Sequence, residues 1–127
     1  ILPYDADLVG SLGRTLRALG RVDEAQPLLE RAESLRRDQR RLDELRARLV
    51  AHPEDVDASF EVARWMFEHG RDEEGVIWAE RTLKRAPNHA ATHRSLAGYY
   101  DRIGQAGLAN HHRERADRES KQTRPKE

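Results

Sequence analysis

The chain has no cysteine, so disulfides and thiolate chemistry are excluded and the redox compartment is left open between cytoplasm and periplasm. It has no apolar run approaching the ~20 residues that cross a bilayer, which argues against membrane insertion. It also has no net charge, with 23 basic residues against 23 acidic ones. That balance argues against a nucleic-acid role, or a membrane-surface role, driven by bulk electrostatics. Disorder is disfavoured too, because a chain with 36% charged and 37% apolar residues that stays unfolded usually carries a net charge. Catalytic signatures are missing: there is no GxSxG, no glycine-rich phosphate loop and no Cys/His pair. We expect no catalytic residue, no cofactor and no metal site.

What is present is a repeated unit. A chain of 127 residues suggests one domain. Its clearest stretch runs from Val56 to His89. Val62, Ala63 and Met66 mark one face of a first helix, which Gly70 ends. Gly75, Ile77, Ala79 and Leu83 line a second, which Pro87 stops. Pro53 and Pro87 are 34 residues apart, as are Gly70 and Gly104. Gly20 follows Pro3 by the same 17 residues that separate Gly70 from Pro53 and Gly104 from Pro87. Leu12, Val62 and Leu96 share a column. So do Gly13, Ala63 and Ala97, then Leu16, Met66 and Tyr100. Ala25, Gly75 and Ala109 form a small-residue column in the second helix, and Ala32, Thr82 and Ala116 form another. Small residues are what two antiparallel helices need where their axes come closest.

A period of 34 with these columns resembles the tetratricopeptide repeat over about residues 1 to 119. The departures are Val9, Ser59 and His93 in the family's first aromatic column, and Leu29, Ala79 and Arg113 in its second-helix aromatic column. The resemblance implies an all-α fold, a solenoid of right-handed stacked helical hairpins. Pro3 falls at the end of a unit, so Ile1 and Leu2 read as the tail of an earlier repeat, and Ile1 is not a natural start. The expectation is a fragment with more repeats before it.

The spacing predicts helices over about Ala6–Leu19, capped by Asp5, then Asp57–His69, Asp72–Arg85, Ala90–Ile103 with Asn88 as cap, and Ala106–Ser120. The second helix is different. Pro3 to Pro53 is 50 residues, 16 more than one period, and Leu28 to His52 contains neither glycine nor proline. One unbroken helix from Asp23 to Ala51 is predicted, roughly 43 Å long. The domain is then 1–120, with repeat 1 over about 6–52 including the 16-residue extension, repeat 2 over 56–89 and repeat 3 over 90–120. Residues 121–127 read as a flexible tail. Leu28, Leu35, Leu42 and Leu49 recur every seven residues, but the alternating core positions of a coiled coil are not apolar throughout. We therefore expect Leu42, Leu45 and Leu49 to be buried within the chain by the third helix, leaving a monomer.

Among six histidines, His89 and His93 are four apart. That spacing can hold a metal on a helix, but no carboxylate stands between them and His89 precedes the helix. Surface or packing roles are expected instead. Arginine outnumbers lysine 20 to 3, the usage of a GC-rich bacterial genome. In the resembled family the first helices line the ligand-facing surface. The corresponding columns hold Gly10, Arg14 and Arg17, then Phe60, Arg64 and Phe67, then Arg94, Gly98 and Asp101. Arg14, Arg17, Phe60, Arg64, Phe67 and Arg94 are the expected binding groove, offering planar forks to carboxylates and apolar anchors. The function this implies is a non-catalytic scaffold that binds a protein or peptide, acidic and partly apolar. The alternatives are an assembly module that self-associates through the long helix, or an accessory repeat domain of a larger enzyme.

Overall fold

The computed structural model describes residues 5–122. Among them are six helices and no strand: α1 (Ala6–Ala18), α2 (Val22–Ala51), α3 (Val56–Glu68), α4 (Asp72–Arg85), α5 (Ala90–Arg102) and α6 (Ala106–Gln122). Two compact units are present, Ile1–Glu44 and Leu45–Glu127. The first holds α1 and most of α2. The second holds the end of α2 and then α3 to α6. The residues assigned to a preceding repeat, Ile1, Leu2 and Pro3, lie outside the described residues, as does the tail from 123 on. α6 takes in Lys121 and Gln122, the first two residues of the expected tail.

The turns show how the sequence punctuates itself. Gly20, Gly70 and Gly104 have φ of +81°, +72° and +77°. The surroundings are open, but a left-handed backbone strains any residue that carries a Cβ, which is why each turn has glycine. Around each one the same two hydrogen bonds close the helix end. Gly20 N–H donates to Arg17 O and Arg21 N–H to Leu16 O; Gly70 and Arg71 repeat this onto Phe67 O and Met66 O; Gly104 and Gln105 repeat it onto Asp101 O and Tyr100 O. This double closure satisfies carbonyls that would otherwise lack a donor.

The helix starts are capped by side chains. Asp5 Oδ1 accepts from the N–H groups of Asp7 and Leu8, each at 3.0 Å. Asp55 Oδ1 accepts from Ala58 N–H at 2.9 Å, and its Oδ2 accepts from Arg48 Nε at 2.6 Å. These bonds hold the Asp55 carboxyl below the usual carboxylate range, the Ala58 N–H being the largest cause. The cap of α5 is a correction to the sequence reading. His89, not Asn88, is the cap, with Nδ1 accepting from Thr92 N–H at 3.3 Å. The Asn88 carboxamide oxygen instead accepts from Arg115 Nη2 at 2.8 Å.

α2 is one unbroken helix of 30 residues. Pro27 sits inside it and removes the N–H that Asp23 O would have received; Asp23 is exposed, so water can serve that carbonyl. Along it, Leu35, Leu42 and Leu45 are buried at 7%, 0% and 2% exposure. Leu49 is only half-buried, short of the full burial expected for it.

The small columns are buried in every copy: Gly13, Ala63 and Ala97; Ala25, Gly75 and Ala109; Ala32, Thr82 and Ala116. The reason is close approach. A Cβ placed on Gly13 would lie 2.9 Å from the Leu29 side chain, and one on Gly75 would lie 2.8 Å from the Phe67 ring. In the first unit, Val9, Ala32 and Leu35 form a core against which Ala6 and Leu28 pack. In the second, Ala63, Ala79 and Leu96 form the centre, flanked by Phe67, Val76, Trp78, Leu83 and Tyr100. Where the first unit sets Val9 beside Ala32, the second sets Ser59 beside Thr82, with the two hydroxyl oxygens 2.9 Å apart. Thr82 donates to Trp78 O at 2.8 Å, so Ser59 is the donor to Thr82 and neither buried hydroxyl is left unpaired.

Two large residues depart from their expected burial. Leu12 is 52% exposed, although Val62 and Leu96 in its column are buried. Ile77, expected to line the inner face of its helix, is 50% exposed. Leu8 on α1 and Leu19 just past its end are also exposed.

Because Ala63 is fully buried in the centre of the second core, Ala63→Leu is expected to destabilise the chain by ~1–3 kcal/mol through overpacking. A urea melt reads this directly. A shift smaller than about half a kcal/mol would mean the site can expand at little cost.

Candidate functional site

The surface on α3 is built by helical periodicity. Phe60, Arg64 and Phe67 stand at i, i+4 and i+7, which places them on one narrow face turned away from the buried Val62 and Met66, with Phe67 at its edge packing against the core around Ala63. Both phenylalanines are half-buried. The Phe60 ring is tilted against the His89 imidazole with centroids 5.2 Å apart. The Phe67 ring packs on Gly75 and meets Tyr99 at 5.7 Å. Arg102 adds its guanidinium 6.0 Å above the Phe67 ring and pairs with Asp72 at 3.3 Å. The two anchors are therefore partly used in joining α3 to α4 and α5, and their outer edges remain open.

Arg64 stands between them and is exposed. It pairs with Glu61 at 3.5 Å and Glu68 at 3.3 Å, both on its own helix. Exposed pairs of this kind are worth only ~0.3–0.5 kcal/mol each, so an incoming carboxylate can replace them cheaply. Arg94 on α5 is exposed, and its Nη1 donates to Ser120 Oγ at 3.4 Å. Gly98, one turn further along α5, has nothing within 4 Å of a built Cβ, so the backbone there is open to an approaching chain. Asp101 is held by Arg113 at 2.5 Å, which lowers its carboxyl below the usual range.

Of the six residues expected to form one groove, Phe60, Arg64, Phe67 and Arg94 lie in the second unit. Arg14 and Arg17 lie in the first, both exposed on α1. Arg14 Nη2 donates to Ser11 Oγ at 3.0 Å. Arg17 borders a shallow cleft with Gln26, Glu33 and Arg37. The sequence reading missed His89, Tyr99 and Arg102, which complete the surface around the two phenylalanines. Their contacts join residues 29 to 35 positions apart, and helical spacing within one element gives no sign of these.

His93 and His112 pack against one another, with ring centroids 5.2 Å apart. His93 is 4% exposed. Its Nε2 lies 2.8 Å from Pro87 O, which can only accept, so Nε2 carries the proton. In the neutral ring Nδ1 then accepts from His112 Nδ1–H at 2.9 Å. The His112 ring also stacks on Tyr100 with centroids 5.6 Å apart. Burial is the first cause that lowers the His112 pKa, followed by His93, His111 and Arg115. Burial likewise lowers that of His89, against a smaller opposing pull from Asp57.

No family model matches the chain, and no curated protein matches it. Solved structures do. "MamA MSR-1 C2" shares 22% identity over 94% of this chain and 79% of its own, with a TM-score of 0.58. "MamA AMB-1 P212121" shares 21% over 94% and 75%, with a TM-score of 0.60. "MamA AMB-1 C2221" shares 24% over 90% and 78%, with a TM-score of 0.55. At such identities the likeness establishes the fold: all-α and TPR-like, built of helical repeats.

The two shifted imidazoles predict a pH dependence. Both bind a proton less readily folded than unfolded. Their contribution to stability is complete above the ordinary histidine value of about 6.5 and is lost as pH falls from there through the lowered folded values. The urea midpoint should therefore drop between about pH 7 and about pH 5, before the carboxylates titrate. His112→Gln, which keeps a donor for His93, should flatten that part of the curve. A midpoint that stays level down to pH 5 in the unmodified chain would refute the assignment.

Proposed function

We propose that the chain is a non-catalytic interaction scaffold whose three helical hairpins act as repeats of one module. It binds a segment of a partner protein, and that segment is acidic and partly apolar. The observation that carries this reading is Arg64, exposed between the half-open Phe60 and Phe67 on one face of α3. Arg94 and the open backbone at Gly98 on α5 add a second cation and room for a peptide main chain. Guanidinium groups take carboxylates in a planar fork, while the phenylalanine edges take an apolar side chain. Arg14 and Arg17 present a further basic face on α1. The TPR-like fold supports the same reading, since stacked hairpins offer long surfaces suited to extended segments.

The assembly alternative rests on the seven-residue leucine spacing of α2. Of those four leucines, Leu35 and Leu42 are buried within a single chain while Leu28 and Leu49 are half-buried, which favours the scaffold reading over a continuous seam.

Two measurements test these readings. Arg64→Glu should weaken binding of glutamate-rich, leucine-containing peptides several-fold, about 1 kcal/mol, and should reduce the salt sensitivity of binding. Unchanged affinity in that variant would remove Arg64 from the site. Light scattering at micromolar concentration should return the 14.6 kDa of one chain. Twice that mass, abolished by substitutions on α2, would favour assembly.

A further inference from the structure

Three cations stand close together near the end of α4. Arg81, Lys84 and Arg85 are all exposed, and among the described residues none of them forms a salt bridge. Elsewhere in the same unit several arginines are paired: Arg48 with Asp55, Arg71 with Glu74, Arg102 with Asp72 and Arg113 with Asp101. In a chain with no net charge, an unneutralised group of three within five residues is a local excess.

These cations rim a cleft of about 490 Å³, whose other walls are Leu49, Pro53 and Trp78. The volume lies within the range of known ligand clefts. Ser59 also reaches it, but its hydroxyl is committed to Thr82, so the floor presents mainly apolar surface. The Arg81 guanidinium lies 4.8 Å from the centroid of the Trp78 ring, which holds the fork at the rim instead of leaving it free in solvent.

The plain reading of such residues is complementarity to the helix dipole, worth ~0.3–1 kcal/mol per cation in the last turn. Lys84 and Arg85 fit it. Arg81 stands a turn earlier, and the dipole accounts neither for its stack on Trp78 nor for the open apolar floor. A nucleic acid is the weaker occupant. The three charges span only ~6 Å of helix, whereas nucleic-acid sites extend along many phosphates. Trp78 also packs on the Ala63, Ala79 and Leu96 core and carries Arg81 above it, leaving little ring on which a base could stack.

We propose that this cleft is a second docking site, separate from the α3 and α5 surface, which takes an acidic peptide segment of a partner protein with one apolar side chain between its carboxylates. The carboxylates engage Arg81, Lys84 and Arg85, and the apolar side chain enters between Leu49, Pro53 and Trp78. The site does not depend on the α3 and α5 reading, because the two surfaces share no residue.

The chain carries its own reporter, since Trp78 and Trp65 are its two tryptophans. In the full chain with Trp65→Phe, Trp78 emission is followed while acetylated hexapeptides are added. The peptides carry glutamates on both sides of a single leucine or phenylalanine, and each has a glutamine counterpart. Octathymidylate serves as the nucleic-acid arm. The expected result is a saturable change with glutamate peptides. It should weaken about tenfold with the glutamine counterparts and in R81Q/K84Q/R85Q, fall with added salt, and persist in R64E. Because the three substituted side chains are exposed, that variant should keep its circular dichroism, which is checked in parallel. The proposal is overturned by no saturable change with any peptide, by equal response to glutamine peptides, by binding that survives the triple substitution, or by tighter binding of octathymidylate.

Discussion

Each hairpin depends on two helices approaching so closely that only a small side chain fits between them. Gly13 against Leu29 and Gly75 against Phe67 leave no room even for a methyl group without a shift of the neighbouring side chain. Ala63 and Ala79 meet in the same manner at the centre of the second unit. The glycine turns serve this approach. Their left-handed backbone reverses the chain within a few residues, so the second helix begins beside the end of the first. Much of the remaining sequence is free to be charged, because the stabilising contacts are concentrated in a thin line of alanine, glycine and a few larger residues.

The same constraint shapes the surfaces. Since each helix buries one stripe, its remaining faces must be covered with polar side chains. Some of these neutralise one another in local pairs worth little individually. What stands out is an arginine set beside an aromatic ring. Arg64 lies between two phenylalanines, Arg102 over Phe67, and Arg81 over Trp78. Stacking costs a guanidinium little of its capacity for in-plane hydrogen bonds, so such a group remains able to receive a carboxylate.

Whatever local geometry dictates could be read from the residues. The small columns were legible because close approach admits few residue sizes, and the glycine turns because a positive φ admits few residues at all. The length of α2 followed from the absence of breakers. Two kinds of feature were hidden. Leu12 occupies an apolar column and Ile77 is expected to line its helix, yet both lie exposed, because burial depends on what packs against a position, and that is not a property of the helix bearing it. Asn88 is the more usual cap, but His89 won because its Nδ1 reaches Thr92 N–H while Arg115 engages the asparagine. For the site, Arg64 and Arg94 could be located from their columns. The engagement of Phe67 with Gly75 and Tyr99 could not, nor could the division of the six expected residues between two units.

The three hairpins share a backbone plan but not a chemistry at the point where their helices meet. Val9 sits beside Ala32, Ser59 donates to Thr82, and His93 bonds to His112 and the Pro87 carbonyl. A helix that strayed to the wrong partner during folding would lose its match. Ser59 placed against an alanine would lose the Thr82 hydroxyl it donates to. Misassembly between similar segments is the characteristic hazard of repeat proteins. Here the unlike contacts act as labels, so that helices of nearly interchangeable shape remain distinguishable to one another.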